Sequence, residues 1–249
     1  MISACHLCPR ECGVPRGEEG AGVCRSGETA RIARAALHFW EEPPISGQRG
    51  SGAVFFTGCT LGCIYCQNGQ ISHGPVRGRK VTPEELSRIF FDLVAQGAHN
   101  INLVTPTHFV PQIRQALLLK KLPVPVVYNT SGYERGETLK TLEGLVDIYL
   151  PDYKYDDPVL ARQLSRAEDY PGRARAAIAE MVRQVGAPVY GEDGMMERGV
   201  LIRHLILPGH TKNSIACLER IQQEFPGIPV SLMAQYTPCG ELDAIPELN

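Results

Sequence analysis

Three cysteines, Cys59, Cys63 and Cys66, fall within the stretch FFTGCTLGCIYCQN, directly after an apolar run. A structural zinc site takes four ligands and a disulfide takes two, so three thiols on one short loop suit neither. A four-iron, four-sulfur (4Fe-4S) cluster takes four ligands, and three cysteines leave one iron free for a group that is not protein. An open position of that kind belongs to a reactive metal centre rather than to a structural one. The competing reading is a zinc loop that borrows a fourth ligand such as His73.

The chain holds nine cysteines in 249 residues. Cys5, Cys8, Cys12 and Cys24 make a second group, and four is the count that a closed site needs. Their C-x2-C-x3-C spacing follows neither the common ferredoxin run nor the paired C-x2-C zinc pattern. Structural zinc and a second 4Fe-4S cluster therefore both fit. Cys217, on an apolar-patterned helix, reads as core, and Cys239 stands apart. Grouped thiols of this kind in a reducing compartment point to metal rather than to disulfides.

These residues need elements to hold them. Residues 1–50 are rich in Gly, Pro and charge and show no sustained helical or strand period. They read as a cysteine-rich extension that a metal would order, with EEPPISGQRGSG as linker or turn. Residues 51–249 alternate instead. Short apolar strands are expected at 53–57, 101–104, 124–128, 146–150, 199–207 and 230–236. Helices are expected over TPEELSRIFFDLVAQG, at 110–119, 134–142, 157–164 and 172–185, and over NSIACLERIQQEF. The first has strong punctuation: Thr82 as N-cap, Pro83 at the first position, Glu85 closing a capping box and Gly97 as the stop.

Six strands separated by helices imply an α/β fold with a parallel sheet. Polar residues follow many of these strands, among them Thr105 and Thr107, Asn129 and Ser131, Asp152 and Lys154, and Gln235. A site built from many strand ends suits the mouth of a barrel better than an open sheet, which uses mainly its switch point. The expected architecture is a partial (β/α)6 TIM-like barrel with a small extension.

The segment Cys59-Thr-Leu-Gly-Cys63-Ile-Tyr65-Cys66, continued by Gln67, carries the C-x3-C-x2-C signature after a strand. In this the chain resembles the radical S-adenosylmethionine superfamily. The resemblance implies a 4Fe-4S cluster whose open iron binds S-adenosylmethionine, one-electron cleavage to methionine and a 5′-deoxyadenosyl radical, and hydrogen abstraction from a substrate. Over roughly 51–239 the chain is similar to pyruvate formate-lyase activating enzyme-like proteins, the activators of glycyl radical enzymes. VDIYLPDYKY implies cofactor contacts from Asp152 and Lys154, LIRHLILPGH from Arg203 rather than His204, and SLMAQYTP from Gln235 or Tyr236. Those activators carry a Gly-Gly-Glu motif after the second strand, where this chain has LVTPTHF, so that Thr105 and Thr107 supply the only oxygens. The partners implied are a one-electron donor such as flavodoxin or ferredoxin, and a glycyl radical enzyme. The alternatives are radical chemistry on a small molecule or peptide, and a non-catalytic metal scaffold or electron carrier.

Hydrophobic residues make up 43% and charged residues 21%, with a net charge of −2 and no basic stripe, so nucleic acid is not an expected partner. MISACHLCPR lacks the basic and apolar regions of a signal peptide, and no run approaches the ~18 apolar residues of a membrane helix. A cytoplasmic protein is expected.

Overall fold

The computed structural model describes residues 2–17, 20–240, 242–243 and 245–249. Its first strand, β1 (Ala30–His38), lies inside the segment expected to lack regular structure. It pairs antiparallel with β2 (Ser51–Phe56), from Ile32 opposite Phe56 to His38 opposite Ser51. Alanines and arginines alternate irregularly along β1, with a bulge between Ile32 and Arg34, so no apolar period marks it. The connection is not a bare linker. It contains a one-turn helix, α1 (Pro43–Ser46), opened by two prolines at positions where no intrahelical N–H is needed. Ile45 of α1 is fully buried in a cluster with Val127, Ile148, Leu150, Met196 and Leu201. The Asn100 amide donates to the Ile45 carbonyl at 2.6 Å. Because α1 follows the end of β1 that lies beside the start of β2, it plugs the bottom of the barrel.

After β2 come α2 (Gly69–Ser72), β3 (Arg79–Val81), α3 (Pro83–Ala95), β4 (Ile101–Val104), α4 (Val110–Leu119), β5 (Val126–Thr130), α5 (Gly136–Lys140) and β6 (Ile148–Pro151). The chain continues through α6 (Pro158–Ser165), α7 (Tyr170–Val185), β7 (Val189–Tyr190), β8 (Met196–Val200), β9 (Ile202–Leu205), α8 (Thr211–Glu224) and β10 (Val230–Met233). Strand order is β3-β1-β2-β4-β5-β6-β8-β7, with β9 and β10 paired separately. The ladders from β2 through β4, β5 and β6 to β8, and that between β9 and β10, are parallel. A bridge between Asp152 and Arg203 joins the two sets. The result is a partial barrel of parallel strands, with the antiparallel pair β1 and β3 beside β2.

The strand expected at 199–207 is divided. Its start pairs with β6 and its continuation with β10, so the chain must turn at Leu201 between two partners. Gly199 makes the approach feasible: its φ is +120°, and a Cβ there would meet the Ala187 carbonyl at 2.6 Å. The α3 punctuation works as the residues require. Thr82 N–H donates to Glu85 at 2.8 Å and Glu85 N–H donates back to Thr82 Oγ1 at 3.2 Å. Leu86, Phe90 and Leu93 of α3 are buried against the sheet. Among the described residues, no helix is long and apolar enough to cross a membrane.

Candidate functional site

The loop from Cys59 to Cys66 leaves β2 at its carboxyl end. Gly58 and Gly62 adopt φ of +83° and +67°, turns that other residues take only with strain. Each sulfur meets hydrogen-bond donors: Cys59 Sγ accepts from Leu61 N at 3.3 Å, Cys63 Sγ from Ser165 Oγ at 3.1 Å, and Cys66 Sγ from Ser72 Oγ at 3.5 Å. Burial pushes the Cys59 thiol up to about 12, with the neighbouring Cys63 and Cys66 adding to it. Burial also raises Cys66, again helped by Cys63. Three thiolates crowded on one loop, with Cys63 buried, need a compensating positive charge, and a metal centre supplies it. Tyr65 points its hydroxyl into a chain to Tyr155 OH (2.7 Å) and on to Ser165 (2.8 Å), which braces the Cys63 side.

The three cysteines face a cavity of about 640 Å³ at the mouth of the barrel. That volume suits a cofactor-sized ligand. Tyr65 and Gln67 of the cysteine loop, Thr105 after β4, Asn129 and Ser131 from the end of β5, Asp152 and Lys154 after β6, Arg203 of β9 and Gln235 after β10 line the same cavity. Thr107 does not line it. Its hydroxyl donates to Glu134 at 2.6 Å, behind the wall. Glu134 also accepts from Thr130 and Tyr128, and burial lifts it to about 7 against these three hydroxyls. Tyr236 turns its hydroxyl to the Leu248 carbonyl, at 2.6 Å.

Charges pair across the cavity floor. Asp152 sits between Lys154 Nζ (2.7 Å) and Arg203 Nε (2.9 Å). Burial opposes its charge, but Arg203 and Lys154 outweigh burial and hold the carboxyl below the usual range. Lys154 is raised for the converse reason: Asp152 and Cys63 overcome its burial. Arg203 lines the cavity, whereas the adjacent His204 faces outward and bonds the Tyr153 carbonyl and Ser214. This is the strand alternation at work.

Sequence reasoning missed Glu41. Its carboxylate reaches Arg203 Nη1 at 3.3 Å and Asn129 Nδ2 at 3.3 Å, and it lines the cavity. Burial raises it, with Arg203 opposing. Two adjacent carboxylates before Pro-Pro were the signal, for a solvated turn has no need to set both beside a barrel strand.

The extension lies on the outer side of the cysteine loop. Arg10 donates to the carbonyls of Thr60 (2.9 Å), Leu61 (3.1 Å), Ser165 (2.8 Å) and Arg166. Arg16 is 1% exposed and donates to the carbonyls of Gly27 and His108. The Cys24 carbonyl packs so closely on Gly58 that a Cβ there would come within 2.4 Å. Among the described residues, no three His, Cys, Asp or Glu side chains converge closely enough to hold one metal ion. His73, the fourth ligand that the competing zinc reading would borrow, bonds Ser72 through Nδ1 at 2.9 Å.

Comparison with known proteins accords with this geometry. The chain is 28% identical over its whole length to an uncharacterized protein of Methanocaldococcus jannaschii, MJ0674, and covers 70% of it. A second uncharacterized protein of that organism, MJ0808, is 26% identical over 55% of this chain and 46% of its own. Among solved structures, Streptococcus suis SuiB superposes with a TM-score of 0.51 at 14% identity, over 80% of this chain and 44% of SuiB. Methylornithine synthase (PylB) gives 0.48 at 17%, over 72% of this chain and 52% of its own. The chain thus spans about half the length of these structural neighbours or less. The family model described as the radical SAM superfamily matches residues 53–220, from β2 to within α8, and the chain belongs to that superfamily.

Proposed function

We propose that the protein generates a radical on a protein partner, in the manner of the activators of glycyl radical enzymes. The superfamily implies a 4Fe-4S cluster and S-adenosylmethionine. The residues present fit both: three thiols, Cys63 buried and Cys59 and Cys66 half-buried, each supplied with hydrogen-bond donors, face one cavity, and among the described residues no fourth His, Cys, Asp or Glu completes a metal set with them. That open arrangement is the observation that carries the reading. Cys59, Cys63 and Cys66 would hold a cluster that, when bound, would supply one-electron reductive cleavage of S-adenosylmethionine for hydrogen abstraction from the substrate.

The chain's own residues position and exclude. Asp152 and Lys154 are held rigid by their mutual ion pair and by Arg203, which suits them to grip the hydroxyls of a nucleoside without reorganising. Thr105 lines the cavity at φ +59°, a strained position that only a surrounding fold can maintain. At the edge of the cavity stands Trp40, 89% exposed. A large aromatic left in solvent beside a cavity favours docking of a macromolecule. An external one-electron donor such as flavodoxin or ferredoxin completes the reaction. A second reading, hydrogen abstraction from a small molecule or peptide, is favoured by the charged floor of Glu41, Arg203 and Asp152, which suits a compact polar substrate.

Anaerobically reconstituted protein, reduced with dithionite in the presence of S-adenosylmethionine, should release 5′-deoxyadenosine, and Cys63→Ala should abolish release. No release from the parent protein sinks the enzymatic reading. A glycyl radical signal on mixing with a candidate partner enzyme supports activation. Its absence, with 5′-deoxyadenosine formation driven by a small molecule alone, selects the second reading.

A further inference from the structure

A second hollow, of about 350 Å³, lies across one wall from the substrate cavity, and Ile71, Ser72 and Val76 line both. Arg25, Arg31 and Arg77 supply its charge, and among the described residues no Asp or Glu lines it. We propose that this basic face docks an acidic one-electron carrier protein. The inference rests on the radical reading of the cysteine loop and adds to it the surface through which an electron arrives.

The cations are far apart in sequence and meet only in the fold. Pairing of β1 with β3 sets Arg31 directly opposite Lys80. Like charges in that register weaken a strand pair, and an anionic partner offsets the cost. Arg25 stands at φ +54°, a left-handed position that residues with a Cβ seldom enter, and its Nη1 donates to the His73 carbonyl at 2.9 Å. Thr57 Oγ1 donates to the Arg77 carbonyl at 3.2 Å, which holds the turn after α2 against the end of β2. Arg25, Arg77 and Lys80 are all exposed. β3 is an edge strand, where a lysine serves to block pairing with other chains. That accounts for Lys80, but not for Arg31 on an inner strand or for Arg25 and Arg77 on loops.

The place of the hollow names its occupant. Ser72 lines it and donates through Oγ to Cys66 Sγ at 3.5 Å, so a protein seated here lies one side chain from the cysteine loop. None of the four cations lines the substrate cavity, so carrier and substrate need not compete. One electron leaves the carrier, which is oxidised, and reduces the centre that Cys59, Cys63 and Cys66 would hold. No bond of this chain is made or broken. Nucleic acid fits less well, because no Phe, Tyr or Trp lines the hollow among the described residues and bases would find no platform for stacking. Facing charges of opposite sign chiefly speed encounter, so the signature of this surface is a salt-dependent rate.

The probe is an acidic flavodoxin, mixed in its reduced form with anaerobically reconstituted protein in the absence of S-adenosylmethionine. Stopped-flow absorbance of the flavin gives the bimolecular rate, and titration with the oxidised carrier gives the affinity. For the parent, the rate should fall roughly tenfold or more between about 50 and 500 mM salt. In the double variant Arg77→Glu, Lys80→Glu, rate and affinity at low salt should both drop by roughly tenfold, and the salt dependence should flatten. Reduction by dithionite, which needs no docking surface, should not separate the two proteins. A salt-independent rate in the parent, or an unchanged rate in the variant, overturns the proposal. So does a single-stranded RNA oligonucleotide that binds the parent more tightly than flavodoxin does and loses that affinity in the variant. Should the centre fail to load, the affinity decides. Release of 5′-deoxyadenosine with dithionite but no salt-dependent docking sinks this surface alone. Salt-dependent reduction by flavodoxin, with no 5′-deoxyadenosine once S-adenosylmethionine is added, sinks the functional reading alone.

Discussion

Arg203 donates through Nε to Asp152 at 2.9 Å, across the bridge that joins the end of β6 to β9. The same guanidinium donates to Asn129 Oδ1 at 2.7 Å and pairs with Glu41 at 3.3 Å. One side chain therefore lines the cavity, balances three carboxylates, Asp152, Glu41 and Glu42, and ties together the two sets of strands. Asp152 keeps Lys154 as a second partner, whereas Glu41 has Arg203 as its nearest cation.

Removal of that guanidinium should be costly. Arg203→Met leaves Glu41, Glu42 and Asp152 with Lys154 alone in place of two cations, and stranding a buried charge costs on the order of 3–5 kcal/mol. Equilibrium urea unfolding under anaerobic conditions should show a loss of this size. Asp152→Asn should cost less, because Arg203 retains Glu41. Equal stability of Arg203→Met and the parent would mean that the floor is held by packing rather than by charge.

The Ser165 hydroxyl, 3.1 Å from Cys63 Sγ, should tune the redox behaviour of the centre. A donor to a ligating sulfur stabilises the more negative, reduced state and raises the potential. Ser165→Ala should lower the potential by on the order of 50 mV, close to tenfold in a one-electron equilibrium. A spectroscopically monitored redox titration checks this. An unchanged potential would show that the Ser165 hydroxyl bonds Tyr155 alone in the loaded protein.

The elements that carry the site were legible because local and tertiary signals agreed. The α3 cap needed only Thr82, Pro83 and Glu85, and the cysteine loop needed only its spacing after an apolar strand. β1 was not legible. Its antiparallel partner lies across a plug helix, and its alternation is blurred by alanines and a bulge. Glu41 and Ile45 were hidden for a related reason. The stretch EEPPISG has the composition of a turn, and only the closing barrel reveals that Ile45 fills its bottom while Glu41 reaches Arg203. Thr107 shows the opposite error, a hydroxyl at a strand end that faces Glu134 rather than the cavity.

Arg10 should hold the extension in place. Its guanidinium is shared among four carbonyls from the cysteine loop and the end of α6, and its plane lies 5.2 Å from the Tyr133 ring centre. Arg10→Ala should expose residues 2–17 to limited proteolysis at least tenfold faster, since losing even one charged hydrogen bond costs about 1.5–3 kcal/mol. Unaltered cleavage kinetics would show that the extension is held elsewhere, through Arg16 or its own metal.

Two buried groups on adjacent loops should set opposing pH dependences. Glu134 rises from 4.5 to about 7 through burial, so the folded state keeps a proton that the unfolded chain releases. Stability from this group falls as pH rises from 4.5 to about 7, by roughly 3 kcal/mol. His108 falls from 6.5 to about 4, chiefly through burial, with its Nε2–H donating to the Thr57 carbonyl at 2.7 Å. There the unfolded chain takes up the proton first, so stability falls as pH drops from 6.5 to about 4, again by roughly 3 kcal/mol. Between pH 4.5 and 6.5 the two slopes cancel. Glu134→Gln should therefore unmask a loss of stability towards acid, and His108→Gln a loss towards neutral pH. Urea midpoints measured against pH, as differences from the parent, remove titrations common to both proteins. If both variants kept the parent's slope, neither group would hold the protonation state that its burial imposes.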